Sequence, residues 1–205
     1  MRLINGRASK YVSLLGMRLI NGRAKILSLI GKRLKNGRFF RGMKIEKKSF
    51  YFIKNKYFRL INDPFLSGNK KDGNYRPCYL AVIEEKGLIW FVPISSRFEK
   101  YKRIYEYKLK RFGNSDTIVL GEVLGRKCAF LIQNIFPVTQ EYIQKQYIQK
   151  NNGVPVTISE LLSRELFLKC KKIIAMVRNG VKNIVFTNII EIENILLSDL
   201  KTKNK

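Results

Sequence analysis

The chain predicts an α+β protein built around an antiparallel sheet, and three observations carry that expectation. Residues 78–84 and 88–94, and again 117–123 and 127–132, are apolar segments joined by short Gly-containing turns, the pattern of two β-hairpins. The strands come as hairpin pairs rather than as βαβ units, which argues for an antiparallel sheet. Helical periodicity occurs in separate blocks, near residues 97–111, 157–177 and 188–200, so helices are mixed with the strands without interrupting either hairpin.

Residues 49–53 (SFYFI) read as a short aromatic strand. The next segment, KNKYFRLIN, predicts a short helix that stops before Asp63-Pro64, because a proline pushes the preceding residue out of the helical region. Residues 64–77, PFLSGNKKDGNYRP, are a long loop by their Pro, Gly, Asn and Asp content. The first hairpin turns at Glu85-Lys86-Gly87. Its strands are almost continuously apolar, which predicts cover on both faces, with Trp90 and Phe91 pointing to opposite sides. Pro93 lacks an N–H and predicts a sheet edge, or departure from the sheet, at that end.

In the helix over residues 97–111, Phe98, Tyr101 and Tyr105 share one face at spacings of three and four. That face is either a stacking surface for unpaired bases or an ordinary core-facing stripe. The second hairpin turns at Leu124-Gly125-Arg126, and Ile135-Phe136-Pro137 completes the sheet. Residues 139–149 read as a short helix. Thr157-Ile158-Ser159-Glu160 matches a capping box opening a long helix, which runs to about Val177 and is stopped by Gly180.

The 205 residues include 41 Lys and Arg against 15 Asp and Glu, a formal net charge of +26. Such an excess points to a polyanionic partner, nucleic acid first and an anionic membrane surface second. No segment is long and apolar enough to span a bilayer. Cys78, Cys128 and Cys170 are widely spaced in apolar surroundings, which predicts free buried thiols in a reducing compartment, the cytoplasm. There is no histidine. Serine–histidine triads, histidine zinc sites and paired-histidine ribonuclease chemistry are therefore excluded.

Residues 1–42 repeat themselves: MRLINGRA occurs at positions 1 and 17, and KRLKNGR begins at Lys32. This segment holds 11 basic residues and no acidic one. It predicts either a basic amphipathic helix or upstream repeat DNA read through in frame, with Met43 as the start of a single domain over residues 43–205.

RNA hydrolysis can begin with attack of the 2′-hydroxyl on the adjacent phosphorus, which needs cations and hydroxyls around the phosphate. Arg76 precedes the first hairpin strand, and Ser95 and Ser96 end the second. A tight hairpin brings those two ends together, with Arg97 and Lys100 close by. Arg76 stays protonated and serves as a charge stabiliser; Lys100 or a tyrosine would have to move protons. Ser96 with Glu99 also matches a capping box, and a helix N-terminus carrying two hydroxyls is itself a phosphate site. Lys100, Tyr101, Lys102 and Arg103 extend the basic, aromatic surface, while Gln133 and Asn134 stand at a strand end as site residues or turn caps. Metal-dependent cleavage wants clustered carboxylates, and the only close pairs are Glu84-Glu85 at a turn and Glu191/Glu193 on a helix.

The runs NYRPCYLAV, GLIWFVPISSRFEKYK and GEVLGRKCAFLIQNIFPVT resemble the toxins of type III toxin–antitoxin systems, the ToxN/AbiQ and CptN/TenpN superfamily, with the CptN/TenpN-like branch most similar. The resemblance spans roughly residues 47–200. It implies an SH3-like antiparallel barrel of the Kid/MazF kind with added helices. It further implies a metal- and cofactor-independent endoribonuclease that leaves 2′,3′-cyclic phosphate ends on cellular or phage mRNA. The implied partner is a repeat-derived antitoxin RNA in a closed RNA–protein ring, with no role for a membrane. The family's basic residue before the first strand falls on Arg76 and its hydroxyl pair on Ser95 and Ser96; the lysine that follows in ToxN falls on Phe98, so Arg97 or Lys100 replaces it. The antitoxin is encoded just upstream of the toxin, so the resemblance identifies residues 1–42 as misread repeat DNA. A non-catalytic RNA-binding protein using the same surface is the alternative.

Overall fold

The computed structural model describes residues 45–66 and 76–203. The repeats of residues 1–42 lie outside them. The described residues form seven strands and four α-helices in the order β1 (Phe50–Ile53), α1 (Asn55–Ile61), β2 (Cys78–Ile83), β3 (Ile89–Ser95), α2 (Phe98–Phe112), β4 (Ile118–Val123), β5 (Arg126–Leu131), β6 (Phe136–Val138), β7 (Ile143–Gln146), α3 (Glu160–Arg178) and α4 (Ile189–Lys203). Every strand pair is antiparallel, in the order β4-β5-β3-β2-β1-β7, with β6 also paired to β3. The α+β architecture with an antiparallel sheet is the one its hairpins predict.

Strand β3 is the spine. It pairs with β2 along one side, and on the other with β6 through Ile89–Phe91 and then β5 through Ile94 and Ser95. A 3-10 turn, Ile132–Asn134, separates β5 from β6. Pro93 sits where the second neighbour changes, so it is interior to the sheet and not at an edge. A residue without an N–H is tolerated there because the ladder is already interrupted.

Trp90 and Phe91 are both fully buried, on opposite faces. Trp90 packs with Phe50, Tyr79 and Phe130 against Leu166, Cys170, Ile173 and Ile174 of α3. Phe91 stacks on Phe136, which meets Tyr57 and Phe58 of α1. Along β5, Cys128 and Phe130 face the α3 side, whereas Ala129 and Leu131 pack under Tyr101, Ile104 and Tyr105 of α2, the two-residue alternation of a strand covered on both sides. Gly121 admits the close approach of α3: a Cβ there would lie 2.7 Å from Leu162 Cδ2.

Two local expectations are corrected. Residues 139–149 hold a 3-10 turn, Gln140–Tyr142, and strand β7 in place of a helix; pairing with β1 overrides the local pattern. Thr157 does not open α3. It bridges Ser49, and the helix starts at Glu160, where the Ser159 hydroxyl accepts from Leu162 N–H at 3.3 Å.

Candidate functional site

The start of β2 and the end of β3 are neighbours because the register sets Cys78 opposite Pro93. Continuing that register by two residues carries Arg76 across from Ser95. Here the sheet opens into a cavity of about 560 Å³. Arg76, Pro77 and Cys78 form one wall, and Pro93 to Arg97 another. Tyr101 of α2, Asn134 of the 3-10 turn, Leu131 and Phe136 of the sheet, and Phe58, Phe65 and Leu66 from α1 and the turn after it complete it.

The chain leaves β3 and enters α2 through a tight turn. Arg97 N–H donates to Ser95 Oγ at 3.2 Å, and Phe98 N–H to the Ser96 carbonyl at 2.8 Å. The capping box expected of Ser96 and Glu99 does not form: Arg97 is the N-cap residue, and α2 has no side-chain cap. The exposed Ser96 hydroxyl therefore remains at the cavity, at the N-terminus of α2, and Arg76 and Arg97 line the same cavity, a setting suited to a phosphate.

Of the sequence-predicted site residues, Arg76, Ser95, Ser96, Arg97, Tyr101 and Asn134 share this cavity. Lys100, Lys102 and Arg103 are exposed on α2 outside it. Lys100 stands 5.6 Å over the Tyr101 ring, and Lys102 pairs with Glu106 at 3.9 Å. Gln133 is buried, and its backbone serves as a brace: its N–H donates to Thr117 and its carbonyl accepts from Phe186. Phe98, Tyr101 and Tyr105 are half-buried, and Tyr101 and Tyr105 pack on the β4–β5 core, so the shared aromatic face is chiefly packing; Tyr101 also reaches the cavity.

Three aromatic walls, Phe58, Phe65 and Phe136, carried no sequence signal beyond their apolar character, because α1, its following turn and β6 meet only in the fold. Cys78 also lines the cavity. Burial pushes its thiol up to about 12, against the opposing pull of Arg76, so it is protonated at neutral pH and no nucleophile. No carboxylate is among the described lining residues. Asp63 accepts from Phe65 and Asn188 N–H groups, Glu84, at the far end of β2, binds Arg178, and Glu99 stands in the first turn of α2 without lining the cavity.

No protein family matches the sequence, and no curated protein matches it. Solved structures do match. The fold is similar to that of AbiQ, a lactococcal anti-phage endoribonuclease of a type III toxin–antitoxin system, with a TM-score of 0.59 and 10% identity over 76% of this chain and 99% of that one. It is also similar to a protein from a bacterial antiviral system regulated by a processed non-coding RNA, with a TM-score of 0.53 and 14% identity over 71% of this chain and 95% of that one. At these identities the likeness is one of fold.

Proposed function

We propose that this chain is an endoribonuclease toxin of a type III toxin–antitoxin system, acting in the cytoplasm in defence against phage. The observation that carries the proposal is the cavity itself: two arginines, two serine hydroxyls, a tyrosine and an asparagine around 560 Å³, on a fold similar to that of an anti-phage endoribonuclease. The antiparallel sheet corresponds, in this account, to an SH3-like barrel of the Kid/MazF kind.

The chemistry follows from the side chains present. RNA enters with a phosphate between Arg76 and the Ser95–Ser96 turn. Its 2′-hydroxyl attacks the phosphorus, the bond to the 5′-oxygen breaks, and the products are a 2′,3′-cyclic phosphate and a 5′-hydroxyl. Charge builds on the non-bridging oxygens in the transition state, where Arg76, Arg97 and the hydroxyl of Ser96 stabilise it. In this account Tyr101, which lines the cavity, relays the proton from the 2′-hydroxyl to the departing 5′-oxygen. Substrate RNA supplies its own nucleophile, so a cavity walled by cations, hydroxyls and an amide fits a metal-independent reaction. Its inhibitor would be RNA from the upstream repeats, including those read here as residues 1–42, closed with the toxin into a ring; its targets would be cellular or phage mRNA.

The variants Arg76→Ala and Ser96→Ala test this account. Removing one transition-state donor is expected to lower the cleavage rate about 100-fold or more, while affinity for uncleavable 2′-O-methyl RNA falls by about tenfold or less. Unchanged cleavage in both variants would remove the assigned site. Tight RNA binding by the parent chain without any cleavage would leave the RNA-binding alternative.

A further inference from the structure

Beside the proposed phosphate site stands an aromatic pair for which the fold gives no packing reason. Phe65, on the cavity wall, stacks on Phe186 with ring centroids 5.6 Å apart and planes 28° from parallel. Each is 52% exposed. They are 121 positions apart in sequence, yet hydrogen bonds anchor the backbone at both. One carboxylate holds the two together: Asp63 Oδ1 accepts from Phe65 N–H at 2.8 Å, and Oδ2 from Asn188 N–H at 3.0 Å. Asn134 Nδ2 donates to the Phe65 carbonyl at 3.3 Å, Phe186 N–H to the Gln133 carbonyl at 2.8 Å, and Thr187 Oγ1 to the Ile135 carbonyl at 2.7 Å. The backbone beneath two half-exposed, mutually stacked rings is thus anchored by polar contacts.

We infer that Phe65, backed by Phe186, is a stacking platform for a nucleobase of single-stranded RNA adjoining the phosphate held at Arg76 and the two serines. This rests on the RNA reading of the cavity and assigns the site one more ligand group. A flat apolar ring lining the same cavity as two guanidiniums matches the alternation of base and phosphate along a single strand. Pre-ordered rings lose little freedom on binding, so most of the stacking energy is expressed as affinity. Asp63 and Asn134 act as positioning residues for the platform. Because every base has a π-face, the platform sets how tightly a strand is held and in what register, more than which base is chosen.

The test uses the full chain and two probes of equal length: 2′-O-methyl oligoadenylate, which 2′-hydroxyl attack cannot cleave, and the matching abasic oligomer. Phe65→Ala is expected to bind the oligoadenylate about tenfold more weakly, to bind the abasic oligomer as the parent does, and to keep the parent's melting temperature. Phe65→Trp should retain or tighten oligoadenylate binding. Equal oligoadenylate affinity in parent and Phe65→Ala, or equal losses on both probes, would overturn the platform. RNA cleavage by the parent with no effect of Phe65→Ala on affinity would reject the platform and leave the nuclease. A base-dependent loss in a chain that never cleaves would keep the platform and reject the nuclease.

Discussion

At the scale of single residues, the cavity depends on what is left unbonded. Ser95 is used within the turn, accepting from Arg97 N–H; Ser96 is not used as a cap and stays available to a ligand. Arg76, Ser95, Ser96 and Arg97 were legible from the hairpin alone, because antiparallel pairing makes the ends of β2 and β3 neighbours whatever surrounds them. Phe65 was not, since its partner Phe186 comes from a distant loop with no shared periodicity. The cysteines give a check on how closed the site is. Burial raises Cys78 to about 12 and Cys128 to about 11, and raises Cys170 further. A thiol reagent at pH 8 is therefore expected to label none of the three in the folded protein within minutes and all of them after denaturation. Rapid labelling of Cys78 in the folded state would mean a wider cavity than the one described. Since folding holds these thiols neutral, they add stability that is lost as pH rises above the ordinary thiol range.

At the scale of elements, hairpins and amphipathic helices were readable, and errors fell where a distant partner decides. Residues 142–148 carry Tyr and Ile near a helical spacing, yet Ile143–Gln146 pair with β1, about ninety residues earlier in the chain. The start of α3 was misplaced because Thr157 and Ser159 are both good caps, and Thr157 is taken by its bridge to Ser49. The far end of the hairpin is tied to the helices by one clasp. Arg178 of α3 donates twice to Glu84, at 2.8 and 2.9 Å, and also to Glu193 of α4, with its guanidinium 5.4 Å from the Trp90 ring. Burial alone would raise the Glu84 carboxyl, but the bonds and charge of Arg178, with Lys86, hold it below the usual range. A depressed carboxyl contributes stability above its unfolded value and loses it as pH falls through the folded value. Glu84→Gln is thus expected to lower the melting temperature at pH 7, by about 2 kcal/mol in stability, with the gap to the parent closing below about pH 4. A gap of the same size at pH 3 would show that the ion pair is not its source.

At the scale of the whole molecule, the net charge, +26 for the full sequence and still +15 for residues 43–205 with 30 basic against 15 acidic residues, and the cavity point the same way. The general excess attracts a polyanion over a distance set by salt, and the cavity gives one phosphate a defined place. Fold class was legible because hairpin topology is a local property. The interior position of Pro93 was not, because a strand that exchanges β6 for β5 along one side leaves no mark in its own sequence. No carboxylate is among the described residues lining the cavity, so in this account the chemistry comes from cations, hydroxyls and the substrate's own 2′-hydroxyl. The most direct measurement is the end chemistry of RNA incubated with the purified chain in EDTA. The account predicts cleavage that leaves a 2′,3′-cyclic phosphate and a 5′-hydroxyl, with no product when 2′-O-methyl RNA is the substrate. Cleavage that requires a divalent metal, or that leaves a 3′-hydroxyl and a 5′-phosphate, would contradict it.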